Sequence, residues 1–148
     1  MAAATRKAGN ARVPRSKAYT AGLKIRRRWL GKAYVDKAFR DADDFTLDLQ
    51  HYVTEHAWGA SWARGVLPLK TRAFMNLAMI SALNRPHELE IHLRAAIRNG
   101  MTKQEIKETF LHVAAYCGTS VSKIERSYYR YLGALSDPGE SPRKRHKG

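Results

Sequence analysis

The stretch Asn99-Gly100-Met101-Thr102-Lys103-Gln104-Glu105 constrains the fold more than any other part of the chain. Glycine at position 100 supplies the left-handed residue that ends one helix, and Thr102 with Glu105 three residues on forms the capping box that opens the next. Two helices must meet there with almost no loop between them. Upstream, Pro86 suits a first turn, and Leu89, Leu93, Ala96 and Ile97 follow on one face. Downstream, Ile106, Phe110, Val113, Ala114 and Cys117 repeat at helical spacing until Gly118 closes the run. This pattern places Cys117 in the core.

The remaining elements read the same way. Leu23, Ile25, Trp29 and Leu30 share a basic stretch ending at Gly31, and residues 35–40 form a short helix. Asp43 or Asp44 caps a longer helix through Phe45, Leu49, Tyr52, Val53 and Trp58. Residues 70–84 carry Phe74, Met75, Leu77, Ala78, Met79, Ile80, Ala82 and Leu83, apolar on every side, as expected of a helix buried all round. In so small a body one layer of neighbours hardly covers it, so a second copy of the chain is expected to bury part of its surface. Ser122 and Glu125 open a last helix with Ile124, Tyr128, Tyr131, Leu132 and Leu135 on one side. No segment alternates with period two between hairpin turns. The expected class is all-α, about six or seven helices with no sheet and no internal repeat.

A chain of 148 residues has room for one domain with a substantial core, and 44% hydrophobic residues is too rich for a disordered polymer. The formal net charge of +14 directs attention to an anionic partner. About half of that charge lies outside the helical pattern. Arg6, Lys7, Arg12, Arg15 and Lys17 occur with no acid, and Arg143, Lys144, Arg145 and Lys147 face only Asp137 and Glu140. The expected organisation is a disordered basic tail over 1–18, a helical domain over 19–135 and a second basic tail over 136–148. An acid-free basic start raises the question of an organelle transit peptide, but a single Ser, Pro14 and the lack of an apolar face argue against one. With no secretory core and no apolar run of membrane length, the expected location is the cytoplasm and no membrane partner is expected. Cys117 stands alone, which excludes an internal disulfide, a CxxC redox pair and a cysteine-based zinc site.

Six histidines prompt a search for metal spacing. The pairs Glu88/His92 and Glu108/His112 stand four apart, not three, and no HExxH occurs, so no metal site is expected. Spacing by four places a carboxylate where it can orient an imidazole, which suits acid–base work. For His112 the expected outcome is a surface ion pair; for His92, beside Arg85 and Arg94, a structural and a functional role remain equally open. A denser cluster runs Glu55-His56-Ala57-Trp58-Gly59-Ala60-Ser61-Trp62-Ala63-Arg64 and continues through Leu67-Pro68 to Arg72. Arginines that fork onto carboxylates beside indole walls could form a pocket for a planar anion, although core tryptophans with exposed arginines would look the same in sequence.

These pieces resemble the carboxymuconolactone decarboxylase family. The similarity lies in Gly22-Leu-Lys-Ile-Arg26-Arg27-Arg-Trp-Leu30-Gly31 with Val35-Asp36, in Glu55-His-Ala-Trp58-Gly59 with Trp62 and Arg64, and in Leu67-Pro68 with Thr71-Arg72. It continues through Leu77-Ala78-Met79, Ala82-Leu83, Glu88, His92, Arg94-Ala95-Ala96, Asn99-Gly100, Glu105-Ile106-Lys107-Glu108 and Tyr116-Cys117-Gly118. The text departs from the family pattern after Gly118, at Gly65-Val66 and at Tyr34, where a histidine is frequent. The CxxC of peroxidase-like members is replaced by Arg85 and Glu88, which excludes disulfide-reductase chemistry.

The resemblance implies an AhpD-like helical fold, a ring-like homo-oligomer (trimer or hexamer) and a cofactor-independent decarboxylase. The implied substrate is a small anionic lactone, γ-carboxymuconolactone of aromatic degradation, converted to β-ketoadipate enol-lactone. In that setting His92 is the expected proton donor with Glu88 or Glu55 orienting it. Arg72 and Arg85, with Arg64 or Arg26, are expected to bind carboxylates, and Trp58 and Trp62 to wall the pocket. Other readings are a family member acting on another lactone or β-keto acid, a catalytically silent scaffold, and a basic helical nucleic-acid-binding protein, the last disfavoured.

Overall fold

The computed structural model describes residues 15–118, and six α-helices follow one another within them: α1 (Lys17–Leu30), α2 (Lys32–Arg40), α3 (Asp44–Val53), α4 (Leu69–Ala82), α5 (Pro86–Arg98) and α6 (Lys103–Cys117). Between α3 and α4 the chain passes through a π-helical turn, Thr54–Gly59, and a 3-10 turn, Trp62–Arg64. No strand occurs among the described residues, so the fold is all-α. The expected helix after Ser122 and the C-terminal tail lie outside the described residues, as does the N-terminal segment up to residue 14. Helix α1 begins at Lys17, inside the stretch expected to be tail, because the Ser16 hydroxyl accepts from the Tyr19 amide at 2.9 Å and caps it.

The caps fall where local chemistry dictates. Asp43, not Asp44, opens α3: its backbone is extended and its carboxylate accepts from the Thr46 amide at 2.7 Å, while the Asp43 amide donates to the Thr46 hydroxyl. Thr102 and Glu105 form the reciprocal capping box of α6. Pro86 occupies the first turn of α5, and Gly31, Gly100 and Gly118 all sit at positive φ beside helix ends. Helix α2 starts directly after Gly31, three residues earlier than the sequence pattern indicated.

The core is built around Val35, Leu77, Leu93 and Ile106, each fully buried, with α4 lying against both α5 and α6. The expectation for Cys117 changes here, and that for α4 does not. Among the described residues helix α4 buries Ala73, Leu77 and Ser81, while Met75, Met79 and the following Leu83 are exposed, so its apolar outer side is uncovered by them. Cys117 is exposed instead of core: burial along α6 stops at Val113, since no described element lies over its last turn.

Helix α1 meets the π-helical turn at backbone contact. A Cβ on Gly22 would stand 2.1 Å from the Thr54 carbonyl oxygen, and one on Gly59 would stand 2.2 Å from that of Ala18. Only glycine at both positions allows the approach. The turn itself is widened by the Ala60 amide donating to the Glu55 carbonyl at 2.8 Å, five residues back. Such a widened turn advances the helical register by one residue. The result is that Trp58 points inward, 4% exposed, and the chain then bends so that Trp62 follows it into the interior.

Candidate active site

All three tryptophans of the chain gather in one cluster. Trp58 and Trp62 have ring centroids 4.6 Å apart, and Trp62 and Trp29 5.5 Å. His92 of α5 joins them: its ring lies nearly parallel to Trp58, at 8° and 6.2 Å, and 6.4 Å from Trp62. An imidazole against two indoles loses hydration that a cation needs. Burial accordingly pulls the His92 pKa down to about 4, against a smaller opposing pull from the Glu88 carboxylate. At neutral pH the ring is uncharged.

The orienting partner of that ring lies on α4. The side-chain amide of Asn76 donates to His92 Nδ1 at 3.0 Å, and His92 Nε2 has no hydrogen-bond partner among the described residues. Arg72 precedes Asn76 by one helical turn and so shares its face. Its Nη1 donates to the Ser61 hydroxyl at 3.3 Å, next to Trp62 in the chain, and its Nε is buried without a partner among the described residues. No carboxylate among them pairs with this half-buried guanidinium. A site therefore forms where α4, α5 and the segment 58–62 converge. It combines a fixed cation and a neutral imidazole with an open nitrogen, backed by the buried indoles of Trp58 and Trp62.

The other expected residues are placed differently. Glu88 lies one turn before His92 and acts on it only through its charge; it is exposed and makes no hydrogen bond to the ring. Arg85, at the N-terminus of α5, and Arg64, in the 3-10 turn, are exposed, and their side chains make no ion pair among the described residues. Glu55 accepts from the Ser16 hydroxyl at 2.6 Å and braces the start of α1 instead of orienting His92. Arg26 is drawn into the structure: it is 6% exposed, donates to Thr54 Oγ1 at 2.9 Å and Gln50 Oε1 at 2.6 Å, and lies over the Phe39 ring. Its hydrogen bonds tie α1 to α3 and the π turn. The expected Glu108–His112 ion pair is not formed, because Glu108 accepts from Gln104 and the His112 ring rests on Tyr116. Among the described residues no group of three His, Cys, Asp or Glu could hold a metal ion, and no helix is long and apolar enough to cross a membrane.

Of the site residues, the sequence pattern does not name Asn76 and names Ser61 only within the cluster, with no role. The Arg72-to-Asn76 spacing was a usable signal for Asn76. Nothing local marked Ser61 beyond its place beside Trp62.

The chain is similar to known proteins. The family model described as the carboxymuconolactone decarboxylase family matches residues 48–123, which include every residue of the convergent site. A 4-carboxymuconolactone decarboxylase of Acinetobacter baylyi is 36% identical over 129 residues, covering 87% of this chain and 95% of the relative. The nitrosuccinic acid decarboxylase npaB of Metarhizium robertsii is 45% identical over 98 residues, 66% of this chain and 68% of the relative. A 4-carboxymuconolactone decarboxylase of Pseudomonas putida is 42% identical over 41 residues, 28% of this chain and 85% of that relative.

Proposed function

The chain belongs to the carboxymuconolactone decarboxylase family, and from that premise we propose that it is a carboxy-lyase that converts γ-carboxymuconolactone to β-ketoadipate enol-lactone in the breakdown of aromatic acids. The observation that carries the reading is the half-buried Arg72 with no carboxylate partner among the described residues, one helical turn from the Asn76 that holds a neutral His92 whose Nε2 is open. A small di-acid supplies what both groups lack.

The substrate contains its own electron sink. When CO2 leaves the ring carbon, its bonding electrons move through the C=C bond onto the lactone carbonyl oxygen, so the reaction asks for no external cofactor. Arg72 takes the remote carboxylate, with the exposed Arg85 and Arg64 drawing the dianion in. The leaving carboxylate faces Trp58 and Trp62, since an ion pair there would stabilise the ground state more than the transition state. His92 donates from Nε2 to the carbonyl oxygen as its negative charge grows, a role that a neutral imidazole fills well. With a pKa of about 4 the cationic ring is about one part in 10³ at pH 7, so hydrogen-bond donation is favoured over the proton delivery that the sequence suggested. Solvent supplies the proton that completes the product.

A second reading draws on the 45% identity to the nitrosuccinic acid decarboxylase. An α-nitro carboxylate loses CO2 into its nitro group, again placing charge on oxygen, and a succinate skeleton keeps a second carboxylate for Arg72. Both reactions make the same demands on the site. The test is to supply the full chain, without added cofactor, with γ-carboxymuconolactone and separately with nitrosuccinate, following CO2 release and the loss of lactone absorbance. Turnover of the lactone supports the first reading, turnover of the nitro acid alone replaces it with the second, and turnover of neither removes both. The apolar outer side of α4, with Met75 and Met79 exposed, supports assembly into a homo-oligomer.

A further inference from the structure

We propose that Asn76 is a positioning residue that sets the tautomer of His92, holding the single ring proton on Nε2 so that the open nitrogen is a hydrogen-bond donor. The inference rests on the reading of His92 as donor to the substrate's oxygen, and it concerns a residue to which the sequence pattern assigned no role. A neutral imidazole has one N–H, and the nitrogen that accepts a hydrogen bond cannot carry it. Nδ1 accepts from the Asn76 amide at 3.0 Å, so the proton resides on Nε2. Nearby charge does not reverse this. Glu88, one turn away on α5, makes no hydrogen bond to the ring and acts on it only through its charge.

The choice of an amide matters. A carboxylate at position 76 would accept from Nδ1–H, move the ring proton to that nitrogen, raise the basicity of the ring and leave Nε2 as an acceptor aimed at an oxygen that is gaining negative charge. An apolar side chain would leave the tautomer to the ring's own weaker preference. Asn76 is half-buried on a helix held against α5, so its amide meets the ring without ordering a mobile side chain at each turnover.

The test is nitrogen NMR of the full chain labelled at histidine, near pH 7, with the His92 signals identified by their loss in His92→Gln. The wild-type ring is expected to show protonated Nε2 and unprotonated Nδ1. Asn76→Asp is expected to reverse that pattern and to lower kcat about 10²-fold, with KM changed by less than about threefold. A wild-type ring protonated on Nδ1 would overturn the proposal whatever the variants do, so a variant that fails to fold does not protect it. An Asn76→Asp protein whose tautomer is unchanged, or whose tautomer reverses with kcat intact, would overturn it as well. If the ring behaves as expected but the wild type turns over neither the lactone nor the nitro acid, the functional reading fails while the control of the tautomer by Asn76 stands.

Discussion

His92 is a neutral imidazole because of what surrounds it, and two measurable consequences follow. In the unfolded chain its pKa returns to about 6.5, whereas in the fold it is about 4. Below pH 6.5 the unfolded chain therefore binds the proton first, and stability falls as the pH drops from 6.5 to 4, by about 3 kcal/mol in total. Denaturant titrations across that window are expected to show the slope, and His92→Gln to remove the His92 share, leaving that of His51, whose pKa is also lowered by burial and by Arg15. The carboxylates of Asp36, Asp43 and Glu105, held below their usual range chiefly by hydrogen bonds from Lys32, Thr46 and Lys70, lose their contribution only in stronger acid. For catalysis, kcat/KM is expected to stay level from pH 5 to 8 and to decline as the ring protonates near pH 4. A tenfold loss per pH unit above 4 would instead mark His92 as a cationic acid. Arg72→Ala removes the charge-assisted grip on the remote carboxylate, so kcat/KM should fall about 10–100-fold; unchanged kcat and KM would exclude Arg72 from the site.

Among the elements, the π-helical turn of Thr54–Gly59 does most to assemble the site, and it depends on two glycines. Gly22→Ala drives a methyl group into the Thr54 carbonyl, and neither backbone can retreat without opening the contact between α1 and the turn that carries Trp58. A loss of about 3 kcal/mol or more is expected, read as a lower denaturation midpoint together with reduced activity. Gly65→Ala is the control: nothing lies within 4 Å, and only its φ of 76° opposes a side chain, at about 1 kcal/mol. The helices were legible because caps and periods are local. Thr102 with Glu105, Asp43 with Thr46 and Pro86 each act within three or four residues. The π turn was not, since a shift from four- to five-residue hydrogen bonding is decided by what presses on the helix from outside. Gly22 and Gly59 entered the resemblance without a reason, and the reason is a contact 37 residues apart in sequence.

For the molecule as a whole, the charge that first suggested an anionic partner resolves into smaller parts. Deleting residues 1–14 is expected to leave turnover unchanged, whereas deletion through 17 also removes the Ser16 cap and the Arg15–His51 hydrogen bond of 2.8 Å and should cost about 1 kcal/mol or more, read by thermal denaturation. Loss of turnover with the shorter deletion would favour a role for the tail in function. Light scattering is expected to give a mass that is a multiple of the 16.8 kDa chain, and one equal to a single chain would remove the homo-oligomer.

Sequence alone determined the helical class, most helix ends and the family resemblance, because each depends on residue types at short, fixed spacings. It also singled out Arg72, Trp58, Trp62 and His92. Tertiary structure decided which charged groups were free to act. Arg26 and Glu55 carry the same chemistry as Arg72 and Glu88, yet the packing of α1 on the π turn ties them to Gln50, Thr54 and Ser16. Asn76 became visible only when α4 and α5 met, since an amide four residues after an arginine has no assigned task until an imidazole from another helix stands 3.0 Å away. Whether a polar group is occupied or open depends on neighbours distant in sequence, and only the fold brings those together.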